Sequence, residues 1–204
     1  MAAGTFSQDG ELLRRLAAGD EQAFTALYRG YQATVYRFAM QMSGNAQIAE
    51  DVTQEVFLVL MRKAGEFDAT RGRLSSWLYG IARNQVLRQL EARGDLVQLA
   101  ARADDDESEL PAELVANFDP VEELTSQQRA ESLREAILSL PPRYREVVVL
   151  CELHEMSYAE AAAVTGCAVG TIRSRLHRSR GLLHSKLAAR RSHAGEKASQ
   201  GIEL

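Results

Sequence analysis

The side chains best placed to do chemistry gather near the end of the chain. Positions 168–191 hold seven lysines and arginines and no acid. Thr171, Ser174 and His177 stand among them. A guanidinium is a planar fork that suits a phosphate or a guanine edge, and hydroxyls add adaptable hydrogen bonds. An acid-free run of this kind reads as a surface for a polyanion. Metal chemistry is the other option, since Cys151-x-x-His154 with Cys167 and His177 offers four donors. No second close pair follows, and the intervening elements would separate the last two, so no metal is expected. The chain has no phosphate loop, nucleophile elbow or paired-histidine metal motif, so it reads as a non-enzyme without a cofactor.

The basic run needs a helix to present it. Ser157 caps a short predicted helix over 158–164, Thr165-Gly166-Cys167 makes a tight turn, and a long helix follows over 168–187. Short helix, glycine turn and second helix form a helix-turn-helix. Ala159, Ala162 and Ala163 are small enough for close packing, and Val169, Ile172, Leu176 and Leu183 project to one side. Thr171, Ser174, His177 and Arg178 then face the other side, flanked by Arg173, Arg175 and Arg180. Such a face fits the DNA major groove, and the N-terminus of the short helix, with Ser157, could hold a phosphate. Two more predicted helices precede it, over 127–140 and from Pro142 to about 155.

The N-terminal half reads as four helices. Leu12, Leu13 and Leu16 mark a short first one. Asp20 caps a second, which Ser43-Gly44-Asn45 ends. A third runs over 46–64, and a fourth is opened by Ser75 or a neighbour and carries Trp77, Leu78, Ile81, Ala82, Leu87 and Leu90. The third is apolar nearly all round. Ile48, Val52, Val56 and Val59 form one face; Asp51, Gln54, Leu58 and Met61 form a second, roughly opposite. Either the rest of its own domain or a partner must cover that second face.

Charge divides the chain. Its net charge is −4, yet residues 95–127 carry one basic and ten acidic side chains. Self-repulsion and Pro111 and Pro120 make this stretch a flexible acidic linker. The expected fold is therefore all-α: two small helical domains, 10–94 and 128–187, joined by the linker 95–127 and followed by a tail, 188–204. No run of 18 uncharged apolar residues exists, so no membrane insertion is expected. The start of the chain lacks a secretory pattern, and two cysteines make no disulfide framework, so a cytoplasmic location is expected.

These motifs resemble a known family. Tyr158-Ala-Glu-Ala-Ala, with Gly170-Thr-Ile-Arg-Ser-Arg-Leu-His-Arg-Ser-Arg180, resembles region 4 of bacterial RNA polymerase sigma factors of the extracytoplasmic-function group. Leu140-Pro-Pro-Arg-Tyr-Arg-Glu-Val-Val-Val-Leu150 resembles the helix before it. Ala49-Glu-Asp-Val-Thr-Gln-Glu-Val-Phe57 resembles the part of region 2 that docks on the polymerase clamp. Phe67-Asp68 and Trp77-Leu-Tyr-Gly-Ile-Ala-Arg-Asn84 resemble the part that melts and reads the minus-ten element.

The resemblance implies a transcription initiation factor that brings RNA polymerase core to promoter DNA. It implies that Asp51, Gln54, Glu55 and Leu58 meet the clamp of the largest subunit. It implies that the 65–75 loop, with Asp68, Arg71 and Arg73, takes up a flipped minus-ten base, and that Trp77, Arg83, Asn84 and Arg88 support the opened strand. It implies that Arg173, Ser174, His177 and Arg178 read the minus-thirty-five element, while Tyr158, Thr171 and Arg175 position its backbone. An inhibitory anti-sigma partner is implied too, and the linker could lie in the polymerase channel that later holds RNA. A polymerase-independent helix-turn-helix regulator is the alternative. It would need neither a clamp-docking face nor a base-flipping loop.

Overall fold

The computed structural model describes residues 2–70, 72–94 and 126–200, with side chains over 8–70, 72–94 and 127–188. Almost all of the acidic linker, Arg71 and the last four residues lie outside the described residues. The fold is all-α. In the first half, α1 (Ala2–Ala17), α2 (Glu21–Ser43), α3 (Ala46–Lys63), a 3₁₀ turn (Ala64–Glu66) and α4 (Leu74–Ala92) follow in order. The second half holds α5 (Ser126–Leu138), α6 (Pro142–Val148) with a π turn over Val149–Leu153, α7 (Tyr158–Thr165) and α8 (Val169–Gln200). Among the described residues, no helix is long and apolar enough to cross a membrane.

Local signals set several boundaries. Asp20 caps α2 by accepting from the amides of Gln22 and Ala23, and Arg15 holds its carboxyl below the usual range. Gly44 ends α2 at φ 67°, and a Cβ there would come within 2.9 Å of Leu138 in α5. Other boundaries differ from expectation. Helix α1 is a full 16 residues long. Helix α4 begins at Leu74 with no side-chain cap, so Ser75 lies inside its first turn. Helix α6 does not continue to 155. Its ladder widens into the π turn, and Glu155 takes a left-handed φ of 52° to redirect the chain toward Ser157.

Helix α3 packs against α2 and α4 with Ile48, Val52, Val56, Phe57 and Leu60 buried. Leu60 takes the core place expected of Val59, which is only half-buried. Phe38, Leu27, Leu74 and Leu78 fill the same core, and burying each such side chain contributes about 1.5–3 kcal/mol. In the second half Ile172 and Leu176 of α8 are buried, with Val147 and Leu150. The stripe continues through Ser179 and Leu182, while Val169 is exposed. Ser179 can lie in the core because its hydroxyl donates to Tyr144 O (3.2 Å) and Arg175 O (2.6 Å).

The two halves are in contact. Helix α4 packs on α7, and α2 meets α5, α6 and the π turn. Arg145, 3% exposed, reaches across to donate to Met42 O at 2.5 Å and caps Leu140 O at 3.1 Å. Burial depresses its guanidinium to about 10. A buried cation is tolerable here because carbonyl oxygens surround it at the ends of two helices.

Candidate nucleic-acid interface

The helix-turn-helix forms as its local signals require. The Ser157 hydroxyl accepts from the Glu160 amide, and the Glu160 carboxylate accepts from the Ser157 amide (2.9 Å) and hydroxyl (2.7 Å). This closed capping box fixes the start of α7. It also sets a carboxylate where a phosphate was expected to meet the Ser157 amide. Burial opposes ionisation of Glu160, but the bonds to Ser157 prevail and hold its carboxyl low. Gly166 ends α7 at φ 70°, its amide donating to Ala162 O. Ala161 and Ala162 make the packing face, whereas Ala159 and Ala163 are exposed.

On α8, Arg173, Ser174, His177 and Arg178 are exposed together, and Thr171 is half-buried beside them. The Arg173 guanidinium stands 6.0 Å from the ring of exposed Tyr158, which joins the two helices into one surface. Arg175 turns away. Its Nη1 donates to Glu146 Oε1 at 3.1 Å. Arg180 pairs with Glu152 at 2.6 Å.

In the first half, Asp68 Oδ1 accepts from the Thr70 amide (2.9 Å) and hydroxyl (2.7 Å), which shapes the loop before α4. Trp77 is half-buried and packs on Phe67 with ring centroids 5.5 Å apart. Phe67, Asp68, Arg73, Trp77 and Asn84 line one side of an open cavity of about 450 Å³, and Ala163 and Val164 of α7 line the other. Ser76 also faces it, and its buried Oγ has no hydrogen-bond partner among the described residues. Sequence reasoning missed Ser76, because a serine in a first helical turn carries no distinguishing signal. Arg83 donates its Nε–H to Glu146 Oε2 at 2.7 Å, while Asn84 and Arg88 are exposed.

Among the described residues, the second face of α3 is uncovered. Leu58 is 50% and Met61 51% exposed, with Asp51 and Gln54 exposed beside them and Tyr28 of α2 at the margin. Asp51 accepts from Gln47 at 2.9 Å, and Glu55 pairs with Arg62 at 2.9 Å. The side chains weighed above as possible metal donors have other neighbours. His154 Nδ1 lies 2.8 Å from the Tyr79 hydroxyl and its Nε2 2.8 Å from Gln41 Oε1, so both ring nitrogens are engaged. Cys167 contacts the Thr165 hydroxyl at 3.1 Å. Burial first, and then Glu152, raise the thiol of Cys151.

Comparison with known proteins gives two family matches and several similar chains. The sigma-70 region 2 family matches residues 27–95, and the sigma-70 region 4 family matches residues 130–183. The chain is 35% identical to the ECF RNA polymerase sigma factor SigE of Mycolicibacterium smegmatis, over 89% of this chain and 69% of that one. It is 30% identical to the ECF RNA polymerase sigma factor SigW of Bacillus subtilis, over 86% of this chain and 94% of that one. Among solved structures it resembles the sigma factor RpoE from Bartonella quintana in complex with the anti-sigma factor NepR. That likeness has a TM-score of 0.60 and 29% identity, covering 81% of this chain and 96% of that one.

Proposed function

The chain belongs to the extracytoplasmic-function group of bacterial RNA polymerase sigma factors, and from that membership we propose how its residues divide the work. It directs RNA polymerase to promoters and starts transcription there. The unit over 10–94 docks on core polymerase and captures the melted minus-ten strand. The unit over 128–187 grips the minus-thirty-five duplex, and the linker 95–127 spans the two.

One observation carries the assignment of roles. Helix α3 leaves Leu58 and Met61 half exposed beside Asp51 and Gln54. An apolar centre with a polar rim is the anatomy of a protein interface. A regulator acting without polymerase would need no clamp-docking face. Asp51, Gln54, Glu55 and Leu58 therefore meet the polymerase clamp. The cavity beside Asp68, Arg73, Trp77 and Asn84 receives an extruded base, and Ser76 Oγ offers it a free hydrogen bond. Contacts with these side chains must return the few kcal/mol that unstacking costs. Arg83 and Arg88 support the opened strand, and Arg71 belongs with Asp68 and Arg73 to the 65–75 loop that takes up the base. Arg173, Ser174, His177 and Arg178 enter the upstream major groove, with Tyr158, Thr171 and Arg175 on its phosphates.

An anti-sigma protein that masks the α3 face is the partner that fits this arrangement, as an anti-sigma factor accompanies the similar RpoE structure. The deciding experiment adds the purified chain to core polymerase and measures promoter-specific initiation. Initiation that is lost on exchanging Asp51 and Gln54 for lysine supports the assignment. Promoter binding of equal strength without polymerase, and no association with core at low salt, would favour the polymerase-independent regulator.

A further inference from the structure

We propose that a second cavity of the first half, between α1 and the turn that leads into the 65–75 loop, holds the base next to the captured one in the melted strand. This rests on the base-capture role given above to the cavity at Trp77. The second cavity measures about 340 Å³, at the small end of sites for an organic ring. Gly10, Leu13 and Ala17 of α1 form one side, and Gly65, Phe67 and Ala69 form the other. Every residue that lines it belongs to the first half.

Helix α1 is firmly seated beside this space. Leu13 is 2% and Leu16 8% exposed, so α1 is anchored in the core. The Tyr31 hydroxyl of α2 donates to Asp9 Oδ2 at 2.6 Å and pins α1 one residue before Gly10. Small residues keep the space open. A Cβ on Gly10 would meet nothing within 4 Å, and one on Gly65 only the Ala17 Cβ at 3.9 Å.

Phe67 ties the two cavities together. It lines both, and Trp77 packs on it with centroids 5.5 Å apart. Occupants of two spaces that share an aromatic wall are one ring apart, which suits successive bases of a splayed single strand. A ring standing between two bases keeps them unstacked, and single strands are held largely by such aromatic faces. The rim sets the chemistry. Glu11 and Arg14 are exposed there and paired with each other. An exposed pair of this kind is worth little in water, so both groups can turn to a ligand. The guanidinium then meets a phosphate of the strand. An ionised carboxylate can only accept, so it favours a base with an exocyclic amino group. Adenine, cytosine and guanine carry one, and thymine does not.

The test measures binding of single-stranded minus-ten oligonucleotides to reconstituted holoenzyme. The oligonucleotides are intact or abasic at one position in turn. The holoenzymes carry the wild-type chain, Gly10→Leu, Gly65→Leu or Glu11→Ala. Wild type should lose at least about fivefold in affinity when a base adjacent to the captured one is missing. Gly10→Leu fills the cavity, so it should bind the intact strand that much more weakly and be indifferent to the same abasic site. Its penalty for loss of the captured base should stay as in wild type. Thymine at the neighbouring position should bind about threefold more weakly than adenine or cytosine, and Glu11→Ala should abolish the difference. Leucine in place of a helical glycine favours the helix, and Gly65→Leu fills the space from the opposite wall should the first variant misfold. Circular dichroism checks both. A folded filling variant that keeps the wild-type penalty at the neighbouring position overturns the proposal, as does a wild-type holoenzyme with no such penalty. A penalty confined to the captured position would overturn this site alone. No penalty at any position would strike the base-capture reading with it.

Discussion

The Tyr79 hydroxyl lies 2.8 Å from His154 Nδ1, and this contact bridges 75 positions of sequence. Gln41 Oε1 can only accept, so His154 Nε2 carries the ring hydrogen. In the neutral ring, Nδ1 then accepts from Tyr79. Phe38 packs edge-on against the same ring at 5.7 Å. Burial raises Tyr79 to about 12 and lowers His154 to about 4, with Arg37 adding to the depression of His154. The histidine is therefore a neutral wedge between α2, α4 and the π turn.

That wedge gives the contact between the two halves a pH dependence. An opened His154 regains an ordinary value near 6.5, whereas the closed one stays near 4. Between those values the open form binds the extra proton, so closure weakens as pH falls from 6.5 toward 4 and does not change through this group above 6.5. The facing groups are the Tyr79 hydroxyl, the Gln41 amide and the Arg37 guanidinium. The Tyr79 hydroxyl titrates far above that window, and the Gln41 amide does not ionise. Burial opposes ionisation of Glu160, and the Ser157 bonds that hold its carboxyl low lie within α7, so its protonation below the ordinary carboxylate range loosens the α7 cap rather than the contact between the halves. An NMR titration of the His154 ring should show a midpoint well below 6. A midpoint near 6.5 in the compact chain would contradict this account.

Leu58→Glu separates interface from core. Leu58 is half exposed and lies on the face of α3 that no other described helix covers. Its replacement should leave unfolding free energy within about 0.5 kcal/mol of wild type. Core polymerase association should fall by at least about tenfold, as expected for an apolar anchor of an interface. Leu60→Ala is the contrast, because Leu60 is fully buried and should cost about 2–5 kcal/mol of stability. Chemical denaturation and a polymerase pull-down together distinguish the two outcomes. A Leu58→Glu chain that binds core normally would remove the clamp from this face.

Arg178→Ala and Arg88→Ala probe the two DNA contacts. Arg178 is exposed on the reading face of α8, so its loss should cost about 1–3 kcal/mol of binding to the preferred upstream duplex and relax selectivity there. Arg88, exposed on α4, should act on the melted strand instead and leave duplex binding unchanged. Competition between upstream sequences, measured with holoenzyme, reads the difference. Equal losses on every sequence would make Arg178 a phosphate contact.

What was legible in the sequence was what neighbours in sequence decide. Asp20 and Ser157 announce helix starts by side-chain bonds two or three residues ahead, and Gly44 and Gly166 announce ends by their left-handed backbone. The exposed row Arg173, Ser174, His177 and Arg178 follows from helical spacing alone. The contact between the two halves was not legible. Arg145 and Glu146 look like solvent-facing charges in a run of Val and Tyr, yet both are buried. Their partners lie 103 and 63 positions away, at Met42 and Arg83, and periodicity carries no information about such pairings. Ser179 was hidden for a related reason, since its hydroxyl is satisfied by backbone oxygens that the pattern does not show.

Ser157→Ala tests how far the reading helix depends on its support. Helix α7 has eight residues and would not be stable alone, so its start needs the capping box. Alanine removes the hydroxyl that accepts from the Glu160 amide and donates to the Glu160 carboxylate. The expected loss is about 1 kcal/mol, concentrated at the first turn. Tyr158 follows immediately and carries the ring beneath Arg173, so fraying there loosens one edge of the surface without moving Ile172 or Leu176 from the core. Hydrogen exchange should accelerate at the Glu160 amide while the amides at the centre of α8 keep their protection. Upstream duplex binding should weaken by a few fold. Unchanged exchange at Glu160 would mean that packing of Ala161 and Ala162, rather than the cap, fixes α7.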